Sequence, residues 1–137
     1  MSAASKHVRD AAGGRILIVE DTPDTLALLK AVFEAEGYEV LQAADGIEAV
    51  EVALAELPDA IIMDMSLPRI DGNTAVKIIR REPSLSATPI IACTAHNKWE
   101  WRGKSIVAGC DAFITKPIDF AQLRSVLAQL LARQRES

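Results

Sequence analysis

The stretch ILIVEDTP, residues 16–23, decides how this chain folds. Its first four residues are all apolar, which suits a strand that is covered on both faces, as in a parallel sheet. Thr22 followed by Pro23 is typical of the start of a helix, with a capping residue and then a first-turn proline. The stretch therefore predicts a buried strand that passes through two acidic residues into a helix.

The same alternation continues along the chain. Strands are expected at residues 16–19, 39–43, 60–63, 89–93 and 112–114. Between several of them, apolar residues recur every three or four positions, which is the spacing of one helical face. Such faces are formed by Leu26, Leu29 and Phe33, by Ile47, Val50, Leu54 and Leu57, and by Phe120, Leu123, Leu127 and Leu130 after the expected cap Asp119. Further helices are expected over about 73–81 and 98–108. Five β-α repeats predict an α/β fold in which helices cover both faces of a parallel sheet.

Length and composition limit the possible functions. The 137 residues suffice for one domain, and we expect a flexible tail at 1–14, a folded domain at 15–134 and no output domain after it. The net charge of −4 gives no broad attraction to nucleic acid or to an anionic membrane. Because the sequence has no membrane-length apolar run and no secretory signal, a soluble cytoplasmic protein is expected. Cys93 and Cys110 have no metal-binding spacing and are expected to be reduced packing residues.

Ligands of open α/β sheets bind beyond the carboxyl ends of the strands. The polar residues at those ends are Glu20 and Asp21 after the first strand, Asp64 after the third, Thr94 after the fourth and Lys116 after the fifth. Three carboxylates at one edge repel one another, and a bound divalent cation removes that penalty. Carboxylate oxygens are the ligands that Mg²⁺ prefers, so a magnesium site is expected here.

The same edge suits phosphoryl chemistry. Asp64 is then able to hold the metal with one oxygen and attack phosphorus with the other, since carboxylates serve as phosphoryl-accepting nucleophiles. Lys116 would neutralise the phosphoryl oxygens, and Thr94 would donate a hydrogen bond to one of them. Each residue alone also has a purely structural interpretation. Glu20 and Asp21 could be capping or first-turn acids of a helix, which fits the sequence as well as a functional role does, and Thr94 could be a turn residue. The full set at one edge is the specific signal.

Four segments resemble the receiver domains of two-component response regulators. They are ILIVED at 16–21, IMDMSLPRIDG at 62–72, Thr94-Ala95 and GCDAFITKP at 109–117. The resemblance covers about residues 15–132, and its motifs are specific both in residues and in spacing. It implies a flavodoxin-like, doubly wound sheet of five parallel strands in the order 2-1-3-4-5 with five helices, in the manner of single-domain CheY-like and DivK-like receivers.

The resemblance also implies roles for individual residues. Asp64 resembles the phosphoacceptor, and Lys116, in a cis bond to Pro117, resembles the lysine that contacts the phosphoryl group. Magnesium would be bound by Glu20, Asp21, Asp64 and the main-chain carbonyl of Ser66. Thr94 and Phe113 resemble the switch pair. Two residues depart from the common pattern: Glu20 replaces the commoner Asp, so its longer arm is expected to reach the metal through water, and Phe113 replaces the commoner Tyr.

Four other residues are candidates for tuning and recognition. Ser66 and His96 occupy positions that set phosphoryl lifetime in receivers, although His96 also fits an exposed loop residue. Trp99 and Trp101 are two residues apart and lie on different faces of a helix, so we expect at least one to face water or a partner. In receivers this helix forms the output face with the fifth strand and the last helix.

Three classes of function are compatible with these features. The first is a phosphoreceiver that accepts its phosphoryl group from a sensor histidine kinase or a histidine phosphotransfer protein and signals to a downstream protein or through a homodimer. It is not an enzyme, because its only chemistry is self-catalysed phosphoryl transfer and autodephosphorylation. The second is a receiver that binds partners without phosphorylation. The third, a phosphatase of the haloacid dehalogenase type, needs a second acid where this chain has Ser66.

Overall fold

The computed structural model describes residues 14–66, 69–95 and 108–136. The strands in these ranges are β1 (Arg15–Val19), β2 (Glu39–Ala43), β3 (Ala60–Asp64), β4 (Ile90–Thr94) and β5 (Ala112–Thr115). The helices are α1 (Pro23–Ala35), α2 (Gly46–Glu56), α3 (Gly72–Arg80) and α4 (Phe120–Glu136), with a short 3-10 helix at Pro83–Leu85. The helix expected at about 98–108 lies largely outside the described residues.

The five strands form one parallel sheet in the order β2-β1-β3-β4-β5. The predicted parallel sheet and its strand order are therefore confirmed, and the described residues contain four of the five predicted helices. Strand register aligns the carboxyl ends, since Val19 pairs with Met63, Asp64 with Cys93 and Thr94 with Thr115. Residues that follow β1, β3, β4 and β5 thus meet at one edge, which is called the carboxyl edge below.

Two apolar layers cover the sheet, because successive side chains of a strand point to opposite faces. On β1, Leu17 and Val19 pack in one layer with residues of α2 and α3. Ile16 and Ile18 pack in the other layer with residues of α1 and α4. The alternation confirms the prediction that both faces of the sheet are covered.

Helix α2 buries a different face from the one its large apolar residues predict. Leu54 and Leu57 are 42% and 48% exposed, whereas Gly46, Ala49 and Ala53 are buried. Small residues let α2 lie close to the sheet and to α3, and a large side chain on that face would force the helix away. The expected Ile47–Val50–Leu54–Leu57 stripe therefore describes the buried face only in part, because Val50 packs against the apolar layer whereas Leu54 and Leu57 are exposed.

The helix starts agree better with the sequence. Asp119 accepts a hydrogen bond from the Gln122 amide at 3.1 Å, as expected of a cap. Thr22 occupies the predicted position before α1, but its side chain makes no capping hydrogen bond.

None of the helices in the described part of the chain combines the length and apolarity that a membrane crossing requires.

The two cysteines are free thiols, as predicted. Burial raises the pKa of Cys93 to about 12 and that of Cys110 to about 12. Both side chains are therefore neutral packing groups at physiological pH.

Candidate functional site

Main-chain hydrogen bonds fix the segments that carry the polar residues of the carboxyl edge. The amide of Glu20 donates to the carbonyl of Ala43 at 3.0 Å, which extends β1 along β2. The amide of Met65 donates to Cys93 at 3.0 Å, and that of Lys116 to Thr94 at 2.8 Å. The strand ladders therefore continue just past the strand ends and hold the site residues in register.

The three acids predicted to bind a metal come together at this edge. Carboxylate oxygens of Glu20, Asp21 and Asp64 all lie within 4.8 Å of one another. Glu20 and Asp64 are each only 3% exposed, whereas Asp21 is exposed. Three close carboxylates, two of them buried, carry a repulsion that a divalent cation relieves, and their hard oxygen atoms suit Mg²⁺. The donor set therefore fits the expected ion.

Lys116 faces two of these acids. Its Nζ atom lies 3.2 Å from Oδ2 of Asp64 and 3.4 Å from Oε1 of Glu20. Burial alone would lower the pKa of Lys116, but the two carboxylates together outweigh burial and raise that pKa. The side chain is therefore positively charged beside Asp64 at neutral pH. The Lys116–Pro117 peptide bond is cis, as the resemblance implied.

Backbone amides orient the two buried acids. The Ser66 amide donates to Oδ1 of Asp64 at 3.0 Å, and the Thr22 amide donates to Oε2 of Glu20 at 3.1 Å. Each acid thus has one oxygen facing Lys116 and the other bound by a main-chain donor. These contacts fix the orientation of both carboxylates at the carboxyl edge.

The two expected switch residues occupy different environments. Thr94, at the end of β4, is 2% exposed, and its carbonyl accepts from the Lys116 amide just past the end of β5. Phe113 is half-buried and packs against the apolar layer that contains Leu17 and Ile61.

Ser66, beside the acceptor, is exposed. His96, Trp99 and Trp101 lie outside the described residues, so their expected roles stay predictions.

Two arginine clusters near the strand ends were missed by sequence reasoning. Arg69, in the loop after Asp64, forms an ion pair with Asp45 at 2.8 Å. Arg80 on α3 donates to the carbonyls of Thr88 and Gly109 and pairs with Asp111 at the opposite edge of the sheet. No spacing rule in the sequence brings the partners of the two ion pairs together, because Arg69 and Asp45 are 24 residues apart in the chain and Arg80 and Asp111 are 31 apart.

Comparison with known proteins gives a consistent picture. A family model of the response regulator receiver domain matches residues 16–128. The chain is 35% identical over 103 residues to the polar-differentiation response regulator DivK of Brucella anthropi, covering 75% of this chain and 84% of DivK. It is 34% identical over 119 residues to RpaA of Synechocystis sp., named as a DNA-binding dual master transcriptional regulator, covering 87% of this chain and 49% of RpaA.

Other relatives differ mainly in length. The response regulator PleD of Caulobacter vibrioides is 37% identical over 131 residues, which is 90% of this chain and 29% of PleD. The chain thus spans about half or less of the length of RpaA and PleD. A shared domain, and not the whole of these longer proteins, is what the similarity covers.

Solved structures extend the similarity to three dimensions. The receiver domain of a sensor histidine kinase from Pseudomonas aeruginosa PAO1, with a magnesium ion coordinated in its active site cleft, is 37% identical with a TM-score of 0.82, covering 88% of this chain and 99% of that one. The chemotaxis response regulator CheY4 of Vibrio cholerae is 28% identical with a TM-score of 0.80, covering 85% and 97%.

Proposed function

This chain belongs to the response regulator receiver domain family, and from that membership we propose that it is a phosphorylation-controlled receiver of a two-component system. Asp64 is the proposed phosphoacceptor. The observation that carries the proposal is the environment of this carboxylate, which is buried, lies 3.2 Å from a lysine ammonium and shares an edge with two further acids. An isolated aspartate on a protein surface has none of these features.

Transfer to Asp64 forms an acyl phosphate. An oxygen of the Asp64 carboxylate attacks phosphorus, the bond from phosphorus to the donor nitrogen of a phosphohistidine breaks, and its electron pair stays on that nitrogen. Lys116, beside Oδ2, stabilises the charge on the phosphoryl oxygens. The Ser66 amide keeps the carboxylate oriented through Oδ1. Positioning and charge neutralisation thus supply most of the catalysis.

Magnesium fits the acidic part of this site. Glu20, Asp21, Asp64 and the Ser66 carbonyl are the proposed ligands. When bound, the ion would neutralise the clustered carboxylates and accept phosphoryl oxygens as further ligands. Both carboxylate oxygens of Glu20 already have protein partners, namely Lys116 and the Thr22 amide. For this reason we propose that Glu20 contacts the metal through a water molecule.

Phosphorylation changes the local charge, and this change shifts the equilibrium between two conformations of the domain. We propose that the Thr94 hydroxyl, at the adjacent strand end, and Phe113 on β5 change position in response. The output face would comprise β5, α4 and the fifth helix predicted at about 98–108, with Trp99 and Trp101 as contact residues. Ser66 and His96 would set the phosphoryl lifetime.

Partners follow from this chemistry. A sensor histidine kinase or a histidine phosphotransfer protein supplies the phosphoryl group in the cytoplasm. A separate downstream protein, or a second copy of the chain, reads the phosphorylated state of the domain at 15–134. No catalytic turnover beyond self-catalysed phosphorylation and autodephosphorylation is proposed.

Beryllofluoride with Mg²⁺ tests whether the site works as a phosphorylation switch, because this complex mimics an aspartyl phosphate. Tryptophan fluorescence should change in a saturable titration, and the change should be absent in Asp64→Asn. A flat titration of the wild-type chain would favour a receiver that binds partners without phosphorylation. Incubation with candidate kinases then identifies the donor by transfer of label to wild type but not to Asp64→Asn.

A further inference from the structure

Arg69 stands out in the described part of the loop between Asp64 and α3, which comprises residues 65, 66 and 69–71. Its φ angle is 67°, in the left-handed region that costs energy for a residue with a Cβ atom. Glycine would occupy this backbone without strain. A strained residue in the loop that follows the proposed phosphoacceptor raises the question of what its side chain does.

The Arg69 side chain reaches across to the start of α2. Its Nη2 atom donates to Oδ1 of Asp45 at 2.8 Å, and this contact lowers the pKa of Asp45. Asp45 is the N-cap of α2, because the same oxygen accepts from the Glu48 amide at 2.8 Å. Glu48 in turn accepts from the Ala44 amide at 2.7 Å. These hydrogen bonds at the start of α2 give Arg69 a fixed anchor on the scaffold.

A second contact holds the same loop against α2. A Cβ atom on Gly46 would lie 2.3 Å from the carbonyl oxygen of Ile70, so only glycine permits this approach. At the end of the loop, a Cβ atom on Gly72 would lie 2.8 Å from the carbonyl oxygen of Asp64. Residues 69–72 therefore pack on two sides, with Ile70 on the first turn of α2 and Gly72 against Asp64 and Met65.

We propose that Arg69 is a positioning residue whose ion pair with Asp45 holds residues 69–72 against Asp64 and Met65, next to Ser66, and thereby sets the Mg²⁺ affinity of the Asp64 site. The inference rests on the proposed function, because Ser66 matters to the metal only if its carbonyl is a ligand. It adds a residue that touches neither metal nor phosphoryl group. The ion pair fixes the loop before the ion arrives, so less ordering is required on binding.

Two substitutions at Arg69 separate the effect of its side-chain charge from the effect of its left-handed backbone conformation. Arg69→Gly removes the ion pair but suits the left-handed backbone, whereas Arg69→Lys keeps the positive charge. We expect Arg69→Gly to raise the Mg²⁺ dissociation constant about two- to fivefold, the range that an exposed ion pair supplies. Arg69→Lys should lie closer to wild type. Calorimetric titration with MgCl₂ on the full chain measures both.

Asp45→Asn tests the other partner of the pair. Asparagine caps helices about as well as aspartate, so α2 keeps its cap while the ion pair is lost. Its effect on Mg²⁺ affinity should equal that of Arg69→Gly, and the double variant should be no worse than either single variant. Arg124→Ala, which breaks the exposed Arg124–Glu36 pair just beyond the C-terminal end of α1, is the matched control and should leave Mg²⁺ affinity unchanged.

Phosphorylation by acetyl phosphate distinguishes this inference from the proposed function. In Arg69→Gly the rate should fall at limiting Mg²⁺ and return to the wild-type value at saturating Mg²⁺. Wild-type Mg²⁺ affinity in both Arg69→Gly and Asp45→Asn would overturn the inference, even if wild type is phosphorylated. Weakened Mg²⁺ binding in a chain whose wild type accepts no phosphoryl group would overturn the proposed function instead.

Discussion

The Nζ atom of Lys116 lies 3.2 Å from Oδ2 of Asp64, although the two residues are 52 positions apart in the chain. The cis bond that follows Lys116 and the β4–β5 ladder that precedes it are the local features of this segment. Within the described residues this contact sets a cation directly against the proposed nucleophile. Its removal should affect metal binding and phosphoryl transfer in opposite directions.

Lys116→Met should slow phosphorylation of Asp64 by acetyl phosphate about 100-fold, since a preorganised charge on the phosphoryl oxygens is lost. Mg²⁺ should bind at least as tightly as in wild type, because a cation that competes for Glu20 and Asp64 is gone. Calorimetry and intact-mass time courses measure the two effects. An equal loss of Mg²⁺ affinity and of rate would show that the substitution merely disrupted the site.

Thr94→Val should separate phosphorylation from signalling. Valine matches the shape of the buried threonine, so the free energy of unfolding should fall by no more than about 1 kcal/mol. Asp64 should still accept a phosphoryl group, but the fluorescence response to beryllofluoride should be largely lost. Thr94→Ser, which keeps the hydroxyl, is the control. A full response in the valine variant would exclude the hydroxyl from the switch.

The Asp45–Arg69 pair should make stability depend on pH at the acidic end. The pKa of Asp45 is lowered from its ordinary value of 3.8, chiefly by the hydrogen bond from Arg69. Its stabilisation is therefore complete above the unfolded-state pKa and is lost as pH falls through the folded-state pKa. The difference in unfolding free energy between wild type and Asp45→Asn, from urea titrations, should be constant near neutral pH and shrink below about pH 4.

The source of that pH dependence can be isolated with a second substitution. In an Arg69→Gly background, the change in unfolding free energy caused by Asp45→Asn should be smaller and should depend less on pH. An undiminished pH dependence in that background would attribute the effect to the helix cap alone.

Leu57→Gly should stabilise the chain. Leu57 ends α2 with a φ angle of 48° and is 48% exposed, so its side chain contributes little burial while its backbone is strained. Glycine should raise the free energy of unfolding by about 0.5–1 kcal/mol. Leu54→Gly, one turn earlier and 42% exposed, should instead lower it by about 1 kcal/mol, because glycine is unfavourable inside a helix. Effects of the same sign at both positions would contradict this account.

The sheet could be predicted from the sequence because its strands are continuous apolar runs. Ile16 to Val19 and Ile61 to Met63 have no polar alternation, which predicts strands buried on both faces, and these residues are buried. The polar residues after those runs then had to meet at one edge. Glu20, Asp21, Asp64, Thr94 and Lys116 were located in this way, from the sequence alone.

Other features depend on tertiary contacts that no local pattern encodes. The buried face of α2 is set by how closely Gly46 and Ala53 let the helix approach its neighbours, so the larger Leu54 and Leu57 gave the wrong stripe. The Arg69–Asp45 pair joins two loops that are 24 residues apart. Neither residue type is unusual in a loop, and only the fold brings them into contact.

The central claim is that Asp64 carries the phosphoryl group. The most direct measurement is the intact mass of the chain after incubation with acetyl phosphate and Mg²⁺, followed by borohydride reduction and peptide mapping. The account predicts one added phosphoryl group in wild type, located at Asp64, and none in Asp64→Asn, which keeps the size of the side chain. Addition to Asp64→Asn at the wild-type level, or a wild-type chain that stays unmodified at saturating donor and Mg²⁺, would contradict it.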